Sequence, residues 1–238
     1  MINKKKEILN FFKDLEFDEK HHQYFVNKVK IKLSVSGIIK KFVIPFDSKK
    51  VSKIVSLHKG ISQHEILKEW DRIRDIACKQ GTEVHLFGEL YPFNRQLKPN
   101  NKFEEAVIKF WKELPPYIIP VVMELQMYHK EFMFAGTSDV ILYNTITNTY
   151  IIGDYKTNKD LFKNYHRQKM LKPFDDLLDC PYNKYQLQLS FYQILFEQLG
   201  LKVSSRKIIW LRPTGNYELY DTKDYTKILI DYLKHNEL

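Results

Sequence analysis

The stretch IIPVVMELQMYHKEFMFAGTSDVILYNTITNTYIIGDYK, residues 118–156, alternates apolar and polar side chains over most of its length. A period of two is the repeat of a half-buried strand, not of a helix. Four strands are expected, IIPVVMELQMY, EFMFAG, SDVILYN and TYIIGDYK, parted by His129-Lys130, by Gly136 and by a turn over 144–148. The flanks supply the layers such a meander needs. Upstream, Ser62-Gln-His-Glu65 has capping-box spacing, and Ile66, Leu67, Trp70, Ile73, Ile76 and Ala77 follow at helical intervals. Gly81 is expected to bend or end that helix, with EVHLFGELY (83–91) as a second helical stretch and NKFEEAVIKFWKEL (101–114) as a third, stopped by Pro115-Pro116. Downstream, 157–182 is polar and irregular with Pro173 and Pro181, the kind of long connection that is usually functional or mobile. A helix over 183–200 closing at Gly200, a strand KIIWL (207–211) and a last helix from about Thr222 complete the chain. At the other end, 4–17 has the spacing of a short amphipathic helix and 22–35 that of two strands around Asn27-Lys28. The fold class expected is α/β (α+β), one mixed sheet flanked by helices, with an α+β segment over 1–60 packing on a core over 61–238 in a single globular domain.

The 238 residues are 44% hydrophobic and 14% aromatic, enough apolar mass for one core, which excludes a disordered or collagen-like chain. Lys and Arg number 38 against 29 Asp and Glu, a formal charge of +9, and 32 of the 38 cations are Lys. That balance favours a polyanion as partner over a basic protein. Cys78 and Cys180 are too few for a disulfide framework or a four-thiolate cluster. With no leader of the secretory kind and no apolar run of bilayer length, the expectation is a soluble, cytoplasmic protein without a membrane partner. The absence of a Gly-x-x-x-x-Gly-Lys-Ser/Thr loop points to no nucleotide cofactor.

Asp154-Tyr155-Lys156 closes the strand TYIIGDYK, and residues two apart on a strand share a face, so one carboxylate and one ammonium point the same way while Tyr155 points the other. The same Asp-x-Lys spacing recurs at Asp18, Asp47 and Asp221, but here alone it ends an apolar strand, where an unpaired carboxylate is costly. Asp139, expected at the start of the preceding strand, comes beside Asp154 if the two strands pair antiparallel. Two such carboxylates suit a hard divalent ion, Mg²⁺ or Mn²⁺, with Lys156 orienting a water or neutralising charge on a phosphodiester. A charged pair at a strand exit is the alternative for Asp154 and Lys156.

GTEVH (81–85), GTSD (136–139), GDYKT (153–157) and QLSFY (188–192), in that order, resemble the motif set of the RecB-like branch of the PD-(D/E)XK nuclease superfamily. The likeness covers about 62–200 and extends in character to HHQYFV…SVSGII, similar to small phage exonucleases and the mitochondrial genome maintenance exonuclease. Ser138 stands where the superfamily pattern has Pro. The resemblance implies a restriction-endonuclease-like core and a metal-dependent deoxyribonuclease, an exonuclease on single-stranded DNA ends in replication, recombination or repair. It implies metal binding by Asp139, Asp154 and the Tyr155 backbone carbonyl, with His85 and Glu124 as ligands or their support and Lys156 as the catalytic lysine. By themselves, His85 reads first as a satisfied surface or core histidine, and Glu124 is equally a solvent-facing strand residue.

Gln188 and Tyr192, four apart, share a helical face; the resemblance implies that they contact DNA, and a polar stripe with a core tyrosine is the alternative. Lys159, Phe162, Lys163, Tyr165, His166, Arg167 and Lys169 interleave cations and rings as single-strand channels do, or form a solvated loop with anchoring aromatics. With two cysteines no iron–sulphur cluster is expected, and with no motor of its own a helicase or a single-strand annealing protein is the expected protein partner of a monomer. The other readings are an endonuclease or RNA-cleaving nuclease of the same fold, and a non-catalytic nucleic-acid-binding module.

Overall fold

The computed structural model describes residues 2–21, 23–165 and 167–236; His22 of the HHQYFV segment and His166 of the loop lie outside them. Helix α1 (Ile2–Phe11) is followed by strand β1 (Leu15–Asp18), so the C-terminal part of the helix expected over 4–17 is extended instead. The reason is pairing. β1 runs antiparallel to β2 (Gln23–Val26) with Phe17 opposite Tyr24, their rings 4.6 Å apart, a cross-strand contact that outweighs helical spacing in so short a segment. β2 turns into β3 (Val29–Lys30) through Asn27 and Lys28, both at positive φ (50° and 65°), the conformation a two-residue hairpin demands. β4 (Leu33–Ser34) and α2 (Val35–Ile39) follow, then α3 (Ser48–Lys59).

Helix α4 (Gln63–Leu90) starts at the expected capping box, both halves of which form between Ser62 and Glu65. It runs unbroken through Gly81, correcting the expected bend: an isolated glycine costs about 1 kcal/mol against alanine, too little to end a 28-residue helix capped at one end and packed at the other. α5 (Lys102–Glu113) begins at Asn101, whose side chain accepts from the Phe103 and Glu104 amides, and stops before Pro115-Pro116.

The meander consists of three strands, not four: β5 (Ile118–Tyr128), β6 (Phe134–Asn144) and β7 (Thr149–Lys156). Gly136 does not break β6 but sits in register with Met127, and the turn falls earlier, where Met133 takes a φ of 50°. Asp139 therefore lies within a strand rather than at its start. α6 (Pro181–Glu197) begins two residues before the expected 183, with Pro181 in the first turn, where a missing N–H loses nothing. Gly200 follows it in the left-handed region at φ 73°. β8 (Val203–Leu211) starts four residues earlier than KIIWL, β9 (Tyr217–Asp221) was not expected, and α7 (Thr226–His235) begins after it rather than near Thr222.

Among the described residues six strands form the central sheet, in the order β4-β6-β7-β8-β9 with β5 along the other edge of β6. β4 runs parallel to β6 and β7 to β8, while the remaining pairs are antiparallel, so the sheet is mixed. One face buries Val140, Leu142, Tyr155 and Ile209 against Val84 of α4 and Phe110 and Trp111 of α5. The other buries Ile141, Ile152 and Ile208 against Phe191 and Leu195 of α6 and Leu229 of α7. Ile8, Phe12, Val35, Ile38 and Phe42, from the first sixty residues, are part of that second core. Among the described residues no helix is long and apolar enough to cross a membrane.

Candidate active site

β6 and β7 are paired from Asn144 opposite Thr149 as far as Val140 opposite Gly153, and there they part. β7 continues beside β8 until Lys156 meets Trp210. A fork opens at residues 139 and 154. The Tyr155 amide, released from the β6 ladder, donates instead to Asp139 Oδ2 at 2.7 Å. Because the N–H and C=O of an extended residue leave the strand on the same edge, the Tyr155 carbonyl faces the fork too. Asp139 and Asp154 are both buried.

Strand parity distributes the rest as expected. The Tyr155 ring enters the α4–α5 core, where its hydroxyl accepts from Trp111 Nε1 at 2.8 Å. Lys156 lies with Asp154 and forms a close ion pair with its Oδ2. The ammonium also stands 4.4 Å from the centroid of the Tyr185 ring, and its side chain is only 13% exposed.

α4 brings His85 to the fork, and Gly88 lets it. A Cβ on Gly88 would lie 2.5 Å from Cε2 of the buried Tyr155 ring, so α4 reaches the sheet only where that side chain is missing. One turn before, His85 Nδ1 lies 3.3 Å from Asp139 Oδ2 and 3.7 Å from Glu124 Oε1. Gly88→Ala is therefore expected to lower the melting temperature despite the better helix former. The gain of about 1 kcal/mol in propensity is outweighed by overpacking of ~1–3 kcal/mol, with alanine pushing the His85 turn away from Asp139. A melting temperature equal to or above that of the wild type would show that α4 does not need this close approach.

Glu124 stands opposite Asp139 on β5, between the pairs Met123–Val140 and Leu125–Ser138. Its φ of 49° is rare for a non-glycine residue inside a strand and breaks the alternation: Met123 joins the α4–α5 core and Leu125 the opposite one. Strain of this kind persists where surrounding contacts fix it, and here it turns the carboxylate to His85.

His85, Glu124 and Asp139 each offer one ligand atom, all within 4.8 Å of one another. Asp154 stands across the fork from this trio with its Oδ2 taken by Lys156. Burial, and then the Asp139 charge, push the Asp154 carboxyl up to about 7. Asp139 is also buried, which works against ionisation, yet the charge and hydrogen bond of His85 hold it below the usual carboxylate range. Burial pulls His85 down, but Asp139 and Glu124 prevail and lift its imidazole to about 10. Lys156 likewise outweighs its burial through Asp154 and is held protonated, above the ordinary lysine value. Carboxylate oxygens with one imidazole, and buried carboxylates whose mutual repulsion a cation would relieve, form a donor set that fits Mg²⁺ or Mn²⁺.

The remaining candidates divide. Gln188 Nε2 donates to the buried Tyr192 hydroxyl at 2.6 Å, and burial together with the Asp154 and Asp139 charges holds that phenol well above its ordinary value. The pair thus borders the carboxylates, and Tyr192 fits there because Gly136 has no side chain: a Cβ would lie 2.9 Å from its ring. Lys159, Lys163 and Arg167 are exposed on the 157–180 loop, and among the described residues none forms an ion pair with the fork. Tyr185 and Asn158 escaped the sequence reading. Tyr185 precedes Gln188 by three and Tyr192 by seven, the spacing of one helical stripe, and this could have drawn attention to it. Asn158 has no such signal: its side chain accepts from the Tyr185 hydroxyl at 2.7 Å and its carbonyl from Trp210 Nε1 at 2.7 Å. Tyr24 was passed over too, and its hydroxyl meets Thr137 Oγ1 at 2.9 Å beside the site. Comparison of the chain with protein-family models and with curated proteins finds no significant match to either.

Proposed function

We propose that the chain is a metal-dependent nuclease that hydrolyses phosphodiester bonds of DNA, an exonuclease working from single-stranded ends. The observation that carries this reading is the fork, where two buried carboxylates from adjacent strands converge with His85, Glu124 and a lysine ion-paired to one of them. The order of the four motifs and the formal charge of +9 support the same reading.

Asp139 and Glu124 would hold the ion, joined by His85 once the cation displaces its proton, with Asp154 and the Tyr155 carbonyl beside them. Mg²⁺ or Mn²⁺, when bound, would supply a water more acidic than bulk water and a positive charge for the phosphoryl oxygens. The chain's own part is positioning and charge. Tyr155 N–H and His85 Nδ1 both meet Oδ2 of the Asp139 carboxylate and fix it. Lys156, held protonated, is suited to neutralising negative charge that grows on the phosphate rather than to taking a proton from water. The Tyr185 ring and Asp154 keep its long side chain in one place.

The test is digestion of linear single-stranded DNA labelled at either end, in Mg²⁺ and in EDTA, beside a circular strand. Mg²⁺-dependent products from the linear strand with the circle intact are expected, and the two labels give the polarity. A circle cut as fast as the linear strand sinks the exonuclease reading. Binding without cleavage in Mg²⁺ and Mn²⁺ alike leaves a non-catalytic binding module, and RNA is then the next substrate to try.

A further inference from the structure

Beyond Lys156 the same face of the sheet continues as a surface of aromatic rings. Trp210 pairs in register with Lys156, and Asn158 joins Trp210 to Tyr185, the ring beside Lys156, its carbonyl accepting from the indole and its side chain from the Tyr185 hydroxyl. The Asp160 carboxylate accepts from the Phe162 and Lys163 amides, a tight turn that sends Leu161 into the core and leaves Phe162 outside. The Phe162 ring lies 5.0 Å from Tyr182 and 5.4 Å from Tyr220, centroid to centroid, and remains 47% exposed. At the edge of the surface the Arg212 guanidinium sits 3.6 Å from the Trp210 centroid and pairs with Glu218, which also accepts from the Tyr220 hydroxyl, while Lys163, next in the chain to Phe162, lies 5.0 Å from the exposed Tyr165 ring. An aromatic face backed by other rings, bordered by cations and continuous with a lysine placed for phosphate, has the chemistry of a base-stacking platform. A paired base does not offer its face to such a surface; an unpaired one does.

We propose that the Phe162 face, with Tyr182, Tyr220 and Trp210 behind it and Arg212 and Lys163 at its edge, stacks an unpaired nucleobase of a polynucleotide strand whose phosphate lies at Lys156. The placement of the phosphate rests on the nuclease reading; the stacking of a base does not require cleavage. The platform selects for single strands by the exposed π-face, without reading sequence, since every base has one.

The experiment is fluorescence anisotropy with labelled oligo(dT), oligo(rU) and a DNA duplex of equal length, in EDTA so that no strand is cut. The proteins compared are the wild type, Phe162→Ala, Phe162→Leu and Phe162→Tyr, each checked by thermal melting. The wild type is expected to favour the single strand over the duplex. Phe162→Ala should weaken single-strand binding roughly tenfold, as the loss of one base–ring stack predicts. Phe162→Leu, which restores apolar bulk without a ring, should not recover it, Phe162→Tyr should, and duplex affinity should stay within a factor of about two in all four. A loss on both oligo(dT) and oligo(rU) supports stacking on either sugar, and a loss on one identifies which strand the platform serves. The proposal is overturned if the wild type shows no preference for single strands, if alanine binds as well as phenylalanine, if leucine restores binding, or if duplex binding falls in step. This pattern without Mg²⁺-dependent cleavage removes the nuclease reading and keeps the platform; cleavage without dependence on the ring does the reverse.

Discussion

Lys156→Ala is expected to lower Mg²⁺-dependent cleavage by about 10²–10³-fold, the range for losing a group that stabilises charge growing at the reacting phosphate. The effect is attributable to chemistry only if the fold survives, and the protonation of Asp154 favours that outcome. Removing one member of a buried ion pair normally costs ~3–5 kcal/mol, because the other charge is stranded. Asp154 has a way out. Its carboxyl is already pushed up to about 7 by burial and by Asp139, so without the ammonium it takes up a proton near neutral pH instead of remaining a bare anion. The variant should therefore melt close to the wild type near pH 7 while its cleavage rate collapses. Cleavage within a factor of about three of the wild type would remove Lys156 from the reaction, whatever its place in the fork.

The residues for which that experiment is legible from sequence are those whose positions follow from strand parity. Asp154 and Lys156 share a face because they are two apart on an apolar strand, and Tyr155 goes to the opposite core for the same reason. The antiparallel partnership of β6 and β7 needs only the turn at 144–148, and it brings Asp139 level with Asp154. What sequence could not place depends on contacts made at a distance. Glu124 faces His85 through a positive φ that no residue type at that position announces. The role of Gly88 appears only when α4 lies on the Tyr155 ring. β9 was missed because YELYD lies at the sheet edge with both faces partly exposed, so no apolar alternation marks it; Glu218 and Leu219 take their register from Trp210 and Ile209. β1 was missed for a related reason, its identity being settled by Phe17 against Tyr24 rather than by its own spacing.

Metal binding can be read without any cleavage assay. Mn²⁺ at about a hundred times its dissociation constant stabilises a folded protein by ~2.7 kcal/mol, and at ~2–4 °C per kcal/mol for a chain of this size the wild type should melt roughly 5–10 °C higher with Mn²⁺ than with EDTA. Asp139→Asn should abolish that rise. The amide still accepts the Tyr155 N–H, so the ladder end is kept, but the charge that His85 and a cation both need is gone. The dependence on pH has a definite sign. Asp154, at about 7 in the folded chain against an ordinary 3.8, keeps its proton where the unfolded chain has lost it, so its contribution to metal-free stability falls as pH rises from 3.8 to about 7. His85, lifted from 6.5 to about 10, stabilises fully below pH 6.5 and loses that contribution as pH climbs to about 10. Both trends weaken the metal-free protein as pH rises, whereas an ion beside ionised carboxylates is held more tightly once their protons are gone. The difference between the Mn²⁺ and EDTA melting temperatures should accordingly widen between pH 6 and 8 in the wild type and stay near zero in Asp139→Asn. An equal Mn²⁺ shift in the two proteins would mean that the ion binds elsewhere, and the fork would then be a buried ion-pair network without a metal.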